Sequence, residues 1–378
     1  MRKKWVSVIL VVILAVVLGV TLNKNTNKEL KEKVSVKKWN NFYNGSNIHF
    51  YYQASDGLNI EQLEESYSLK KLVRNCKSDF EKALKIMEWT DKKLKYNRTS
   101  MKVKGNALGI LKDVEKSGKS ISDEDYCKVY NEAAISVGLK SRIGEFKVKE
   151  PNKEKGMYNY FICEVWSDKY KKWIMIDSPN NHYITHEGVP LSAIEVIEKG
   201  IDKIKILGGN SAQKYIKNME KYFYSYTIAI DNNIYGAKKS NSYITYIKND
   251  KIPKIYIKDQ FIKPTIFTYK NDLFKISPNV KYKDNKSDEV STIIFSQKKS
   301  IENNDNSKEK ISLYGGAFRN SVMLEKYKVS VNSSKWEDVE GYFTVDLKNG
   351  ENVIKISQDG KKAEREVIII YNSEDKKK

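Results

Sequence analysis

The feature that most constrains this chain is an uncharged apolar run from Trp5 to Leu22, eighteen residues directly behind Arg2-Lys3-Lys4. Such a run is longer than the ~7–15 residues of a cleaved signal's apolar region and close to the ~20 that a spanning helix needs. No cysteine follows it to carry a lipid, and no polar segment precedes a cleavage site. The expectation is a retained signal anchor over residues 1–22, single-pass in the cell membrane. The six lysines from Lys24 to Lys38 outnumber the three basic residues before the run, a count that taken alone would set the opposite orientation. However, a four-residue tail ahead of the first apolar segment is the secretory layout, and long domains translocate largely regardless of loop charge. The main body, from residue 23 on, is therefore expected outside the cytoplasm.

That placement changes the meaning of the charge. Lys+Arg 68 against Asp+Glu 48 leaves a net +20 over 378 residues, which by itself invites a nucleic-acid reading. Residues 1–40 hold nine basic and two acidic side chains, about a third of the excess, beside the anchor. There they can meet anionic headgroups or wall polymers. The membrane is the expected partner, a cell-wall polymer or surface protein the candidate second one, and nucleic acid is excluded. Cys76, Cys127 and Cys163 are too few for a disulfide scaffold, and none forms a CxxC pair. With no His/Asp/Glu cluster at ligand spacing and no glycine-rich phosphate loop, no metal and no cofactor is expected.

The remaining patterning divides the chain. Residues 23–60 are polar and Lys/Asn-rich and read as a linker. Ile60 to Val73 is helix-compatible, and Ser78-Asp79-Phe80-Glu81 is a capping box opening an amphipathic helix to about Tyr96. Ile110 to Glu115 reads as a short helix. Ser122-Asp123-Glu124-Asp125 leads into a helix from Tyr126 to Val137, closed by Gly138, which sets Cys127 in the first turn. Three strands follow at Ser141–Val148, Tyr158–Trp166 and Lys172–Asp177, then a helix from Pro190 to Lys199 and a strand near Ile204. Residues 61–207 thus form an α+β unit and 208–274 a mixed connecting region. Residues 275–378 carry about seven short alternating runs, with Asn349-Gly350 and Asp359-Gly360 as hairpin turns. They are expected to form an immunoglobulin-like β-sandwich.

A cysteine in a helix's first turn lies where unpaired N–H groups stabilise a thiolate, so Cys127 is the best nucleophile candidate in the chain. The segments "SDFEKALKIMEWTDKKLKY", "DYCKVYNEAAISVGLKSRI" and "YFICEVWSDKYKKWIMID" resemble the transglutaminase-like superfamily. Its papain-like core packs a cysteine-bearing helix on a small antiparallel sheet that carries a histidine and an aspartate. The resemblance implies Cys127 as nucleophile and Asp177 as triad acid. At the histidine position stands Tyr160, 33 residues after Cys127 and 17 before Asp177. Strand parity puts Tyr160, Ile162 and Glu164 on one face and Phe161, Cys163 and Val165 on the other.

A phenol of pKa ~10 cannot take the thiol proton near neutral pH. The favoured reading is a membrane-anchored, catalytically impaired transglutaminase-like protein that binds peptide or cell-wall ligands. One alternative is an active acyl-transfer enzyme using Cys127, which needs His182 or an unusual base; another is an adhesion or scaffold protein. His49 and His186 are weaker candidates for a base, Cys163 reads as packing and Cys76 as structural. Glu164 reads as a paired surface charge on adjacent strands rather than as half of a carboxylate pair with Asp177.

Overall fold

The computed structural model describes residues 34–372 apart from 47, 152–153, 155–156, 210, 249–250, 255–262, 282–287 and 299–310. The expected anchor lies outside the described residues. Among these, no helix is long and apolar enough to cross a membrane.

The described chain opens with β1 (Val34–Asn40) and β2 (Tyr51–Tyr52), then five helices: α1 (Leu58–Tyr67), α2 (Leu69–Val73), α3 (Asp79–Lys93), α4 (Ala107–Ser117) and α5 (Asp123–Ser136). Their starts follow the capping chemistry of the sequence. Ser78 Oγ accepts from Glu81 N, Asn106 Oδ1 from Gly109 N and Ser122 Oγ from Asp125 N, each satisfying a backbone donor that the helix itself cannot. Helix α5 is the hub of the bundle, with twelve of its fourteen residues buried. Its polar side chains are therefore held by partners. Asp125 accepts from Val103 N at 2.8 Å, and Glu132 accepts from Ala107 N at the start of α4.

Helix α5 lies on a mixed sheet made of β3 (Ser141–Lys147), β4 (Asn159–Ser167), β5 (Lys172–Asp177), β6 (His182–His186) and β7 (Val189–Pro190). After α6 (Ala193–Lys199) come β8 (Lys205–Gly208), α7 (Ala212–Met219), β9 (Ser225–Ala229), β10 (Asp231–Asn232), β11 (Tyr243–Ile247) and β12 (Thr265–Thr268). The strand order is β12-β11-β9-β3-β4-β5-β6-β7, with β8 paired to β6. Residues 208–274 are therefore not a connector: β9, β11 and β12 carry the sheet outward past β3. One face of the sheet, with Cys163, Val165 and Ile176, packs on the helical bundle. The other, with Tyr160, Ile162 and Met175, forms a second core with α6 and α7.

The C-terminal part supplies β13 (Thr292–Lys298), β14 (Ser312–Arg319), β15 (Val322–Met323), β16 (Lys326–Val331), β17 (Glu337–Glu340), β18 (Tyr342–Asp346), β19 (Gly350–Ser357) and β20 (Arg365–Tyr371). They form two sheets, β1-β20-β19-β16-β17 and β13-β14-β15 with β18 on β14. Both sheets contribute to one hydrophobic cluster, including Val329, Ile354 and Val367 from the first and Ile293, Leu313 and Val345 from the second. Residues 34–40, expected as linker, are an edge strand of this unit, because Val34, Val36 and, past a bulge between Val36 and Lys38, Trp39 turn into its core against β20. Trp39 also meets Phe267 of β12 edge to face at 5.2 Å, tying the two halves together. Asn349-Gly350 is not a hairpin turn: it passes the chain from one sheet to the other, whereas Asp359-Gly360 does join β19 to β20.

Glu164 is the clearest departure from expectation. It is paired on the adjacent strand, with Arg142 directly across the β3–β4 ladder at 2.9 and 2.7 Å, but fully buried rather than at the surface. Tyr226 Oη and Ala193 N also donate to it, while Arg142 donates to Phe274 O and lies 4.0 Å over the Trp173 ring. Gly144 makes the approach of Tyr226 possible, since a Cβ there would fall 1.9 Å from the phenol oxygen. Removing one member of a buried pair strands the other without a counter-charge. Glu164→Ala or Arg142→Met is expected to cost about 3–5 kcal/mol in urea unfolding, and the joint Arg142→Met, Glu164→Leu variant clearly less than either.

Candidate functional site

Strands β4 and β5 pair in the register Cys163 to Ile176 and Glu164 to Met175, which brings the start of β4 level with the end of β5. Tyr160 Oη donates to Asp177 Oδ1 at 2.7 Å, and Tyr215 Oη on α7 donates to Oδ2 at 2.7 Å. Asn180 completes the shell, giving its N–H to Asp177 Oδ1 at 3.2 Å and its side-chain amide to Tyr160 Oη at 2.6 Å. Asp177 is wholly buried, and this burial raises its pKa against the lowering effect of the three donors. Burial, with the carboxylate beside them, also pushes both phenols well above their ordinary value, so they stay protonated and serve as permanent donors.

The structure does not bring Cys127 into this group. Because α5 begins at Asp123, Cys127 is its fifth residue, in the second turn rather than the first. The favourable field of a helix start falls off within the first turn. The thiol is completely buried; its sulfur lies 3.9 Å from Ser178 Oγ, and Cys163 Sγ donates to the Cys127 carbonyl at 3.4 Å. Cys127 and Cys163 sit on the bundle face of the sheet, opposite Tyr160. Burial is the main cause that pushes the Cys127 thiol well above its ordinary pKa, with Cys163 and the Asp123 and Asp177 carboxylates adding to it.

His182, at the start of β6 opposite Asp177, is buried with Nδ1 3.3 Å from Leu207 O and its ring edge-on to Tyr215 at 4.7 Å. It thus stands behind Tyr215 on Asp177. His186 faces Lys203 O, and His49 stacks on Tyr51. Among the described residues, no histidine hydrogen-bonds the Cys127 sulfur, and no group of His, Cys, Asp and Glu is arranged to hold a metal.

At the helix start stands Asp123. Its Oδ2 accepts from Phe161 N at 2.9 Å, a donor that the β4–β5 ladder, beginning at Cys163, leaves over. Arg98 reaches the same oxygen at 3.4 Å, donates to Asn159 O, and lies over the rings of Tyr160 and Tyr222 at 5.1 and 4.7 Å. Together with Tyr96, Asn180 and Tyr215, Arg98, Tyr160 and Tyr222 line a cleft of about 420 Å³. Asp123 and Arg98 escape the sequence reading, although the Ser122 cap followed by three acids marks residue 123 as the first of the helix. Nothing in the local sequence marks Arg98, because its partners come from α5, β4 and the 3-10 turn Glu220–Tyr222 after α7. The arrangement offers a carboxylate, a guanidinium and phenols, but no imidazole–thiol pair.

Residues 68–178, under a third of the chain, match the family model of the Transglutaminase-like superfamily, and this span contains Cys127, Tyr160 and Asp177. No curated protein matches the sequence. A solved structure from Cytophaga hutchinsonii, provisionally named a cysteine protease, aligns over 41% of this chain at 12% identity and a TM-score of 0.27. This chain spans half the length of that protein, and a likeness at that score carries no argument. The α+β core of residues 68–178 is therefore of the transglutaminase-like type.

Two measurements check the geometry. Iodoacetamide should leave Cys127 unmodified in the native chain at pH 7–9 while labelling the partly exposed Cys76, with full modification only after denaturation. The second concerns Asp177, whose native pKa is raised above the unfolded value near 4. Its contribution to stability is complete below that unfolded value and is lost as pH rises through the native one. The stability of the native chain relative to Asp177→Asn should therefore fall with rising pH across that window and level off above it, as read by urea unfolding at a series of pH values.

Proposed function

We propose that the chain is a membrane-anchored, extracytoplasmic transglutaminase-like protein that has lost acyl transfer and binds a peptide segment in the cleft lined by Arg98, Tyr160 and Tyr222. The observation that carries this reading is the Tyr160–Asp177 hydrogen bond. Where the family's base would stand, a phenol donates permanently to the acid and can neither take nor return a proton near neutral pH. The sealed position of Cys127 supports it from the side of the nucleophile. The anchor is supported by the Trp5–Leu22 run, and the immunoglobulin-like type of the C-terminal unit by its two sheets around one core.

Such a cleft keeps the shape that once aligned a peptide amide and replaces its chemistry with stacking and hydrogen bonding. Arg98 and Tyr222 supply a cation and a ring face at its mouth, and the Asp177 shell keeps its wall rigid. The full chain in detergent should release no ammonia from glutamine peptides and incorporate no amine. It should retain immobilised peptide from wall or surface protein, and Arg98→Ala or Tyr222→Ala should weaken that retention about tenfold. Tyr160→His alone should restore no turnover, because the thiol stays buried. Ammonia release that disappears in Cys127→Ala would sink this reading.

A further inference from the structure

Adjacent residues on β4 serve opposite faces of the sheet. Tyr160 lines the cleft described above, and Phe161 lines a second opening of about 490 Å³ on the bundle face, which shares none of the cleft's lining residues. Its floor is the stretch of sheet beyond the reach of α5, where β3, β9 and β11 continue past the helix. Phe161 and Tyr243 place ring surface there, with the Lys263 ammonium 5.2 Å from each centroid. One wall is the α5 stripe Glu124, Lys128, Asn131 and Glu132, spaced as one helix face. The other is the loop after β10, which contributes Tyr235.

The charges of this groove are already committed within the protein. Glu145 accepts from Lys263 at 2.9 Å and Asn159 at 2.8 Å, and Glu132 accepts from Tyr235 Oη at 2.6 Å. Asp231 takes the N–H groups of Asn233 and Lys239, while Lys238 donates to the Asp231 carbonyl. Lys128 pairs with Asp125 and Glu124 with Lys102. An ionic ligand would have to displace one of these hydrogen bonds or ion pairs; a neutral one would not. In contrast, Asn131 is only 4% exposed, lines the groove, and its Oδ1 has no donor among the described residues. A buried amide oxygen without a donor costs free energy until one is supplied.

We propose that this groove binds a neutral oligosaccharide. A sugar ring is uncharged, sets a C–H face on aromatic rings, and brings hydroxyl donors of the kind the Asn131 side chain lacks. The volume lies within the range of small-ligand sites. An extended peptide fits less well. Peptides add to sheets at open edges, whereas the strands under this groove are paired on both sides, β3 with β4 and β9, β9 with β3 and β11, and β11 with β9 and β12.

The test is isothermal titration of the full chain in detergent with hexamers of β-1,4-linked N-acetylglucosamine and of β-1,4-linked glucose, alongside a polygalacturonate hexamer and an unstructured hexapeptide. Binding of either neutral hexamer, weakened about tenfold by Tyr243→Ala or Phe161→Ala but kept by Tyr243→Phe, is the expected result. Arg98→Ala should leave it unchanged, which separates this site from the peptide cleft. Thermal melts show that each variant is folded. Should a variant unfold, protection of the Tyr235–Lys238 loop from hydrogen exchange by the sugar provides the same test on the unaltered chain. No binding by either neutral hexamer, preference for the uronate or the peptide, or insensitivity to both aromatic variants would overturn the proposal.

Discussion

The Arg142–Glu164 pair is the interaction on which the rest of the central domain depends. Two opposite charges face each other across β3 and β4 with no exposed surface, so the strands cannot slip by one residue without burying both unpaired. The spare lone pairs and protons of this pair then recruit the surroundings: Tyr226 from β9, the start of α6, the Phe274 carbonyl and the Trp173 ring from β5. By fixing β4 against β3, and through Trp173 against β5, the pair also fixes which face Tyr160 and Asp177 share. A slip would turn Tyr160 toward α5 and dismantle the cleft.

Asp177 shows the same economy at the site. A buried carboxylate needs donors, and here two phenols and Asn180 supply them at 2.7–3.3 Å. This is a rigid arrangement with high proton affinity on every donor, suited to holding shape. Acid–base catalysis needs a group that gains and loses its proton near neutral pH, and neither Tyr160 nor Cys127 has that freedom. Two openings on opposite faces of one sheet result: a cleft whose walls are phenols and a guanidinium, and a groove whose charged side chains are held by hydrogen bonds and ion pairs within the protein.

Local chemistry made much of this legible. The serine caps at Ser78 and Ser122, the alternation from Ser141 to Asp177 and the parity of Tyr160 against Cys163 all survive in the structure, because each depends on neighbours within a few residues. What escaped depends on distant partners. Val34–Asn40 is polar enough to read as a linker, and only β20, more than 300 residues on, makes it a strand. Residues 208–274 read as a connector because the edge they extend, β3, is supplied by another part of the chain. Glu164 looked like surface charge because its counter-ion stands 22 positions earlier.

The sequence by itself determined the capping serines, the alternation of the strands and the absence of histidine at position 160, since side-chain type and spacing are local properties. Tertiary structure decided which of these residues meet. Cys127 lies one turn too deep to feel the helix start, so a residue that composition marks as a nucleophile becomes packing. Arg98, an ordinary surface type by sequence, lines the cleft instead and pairs with the buried Asp123. Burial and charge pairing set the chemistry of a side chain, and both belong to the folded chain rather than to the residue.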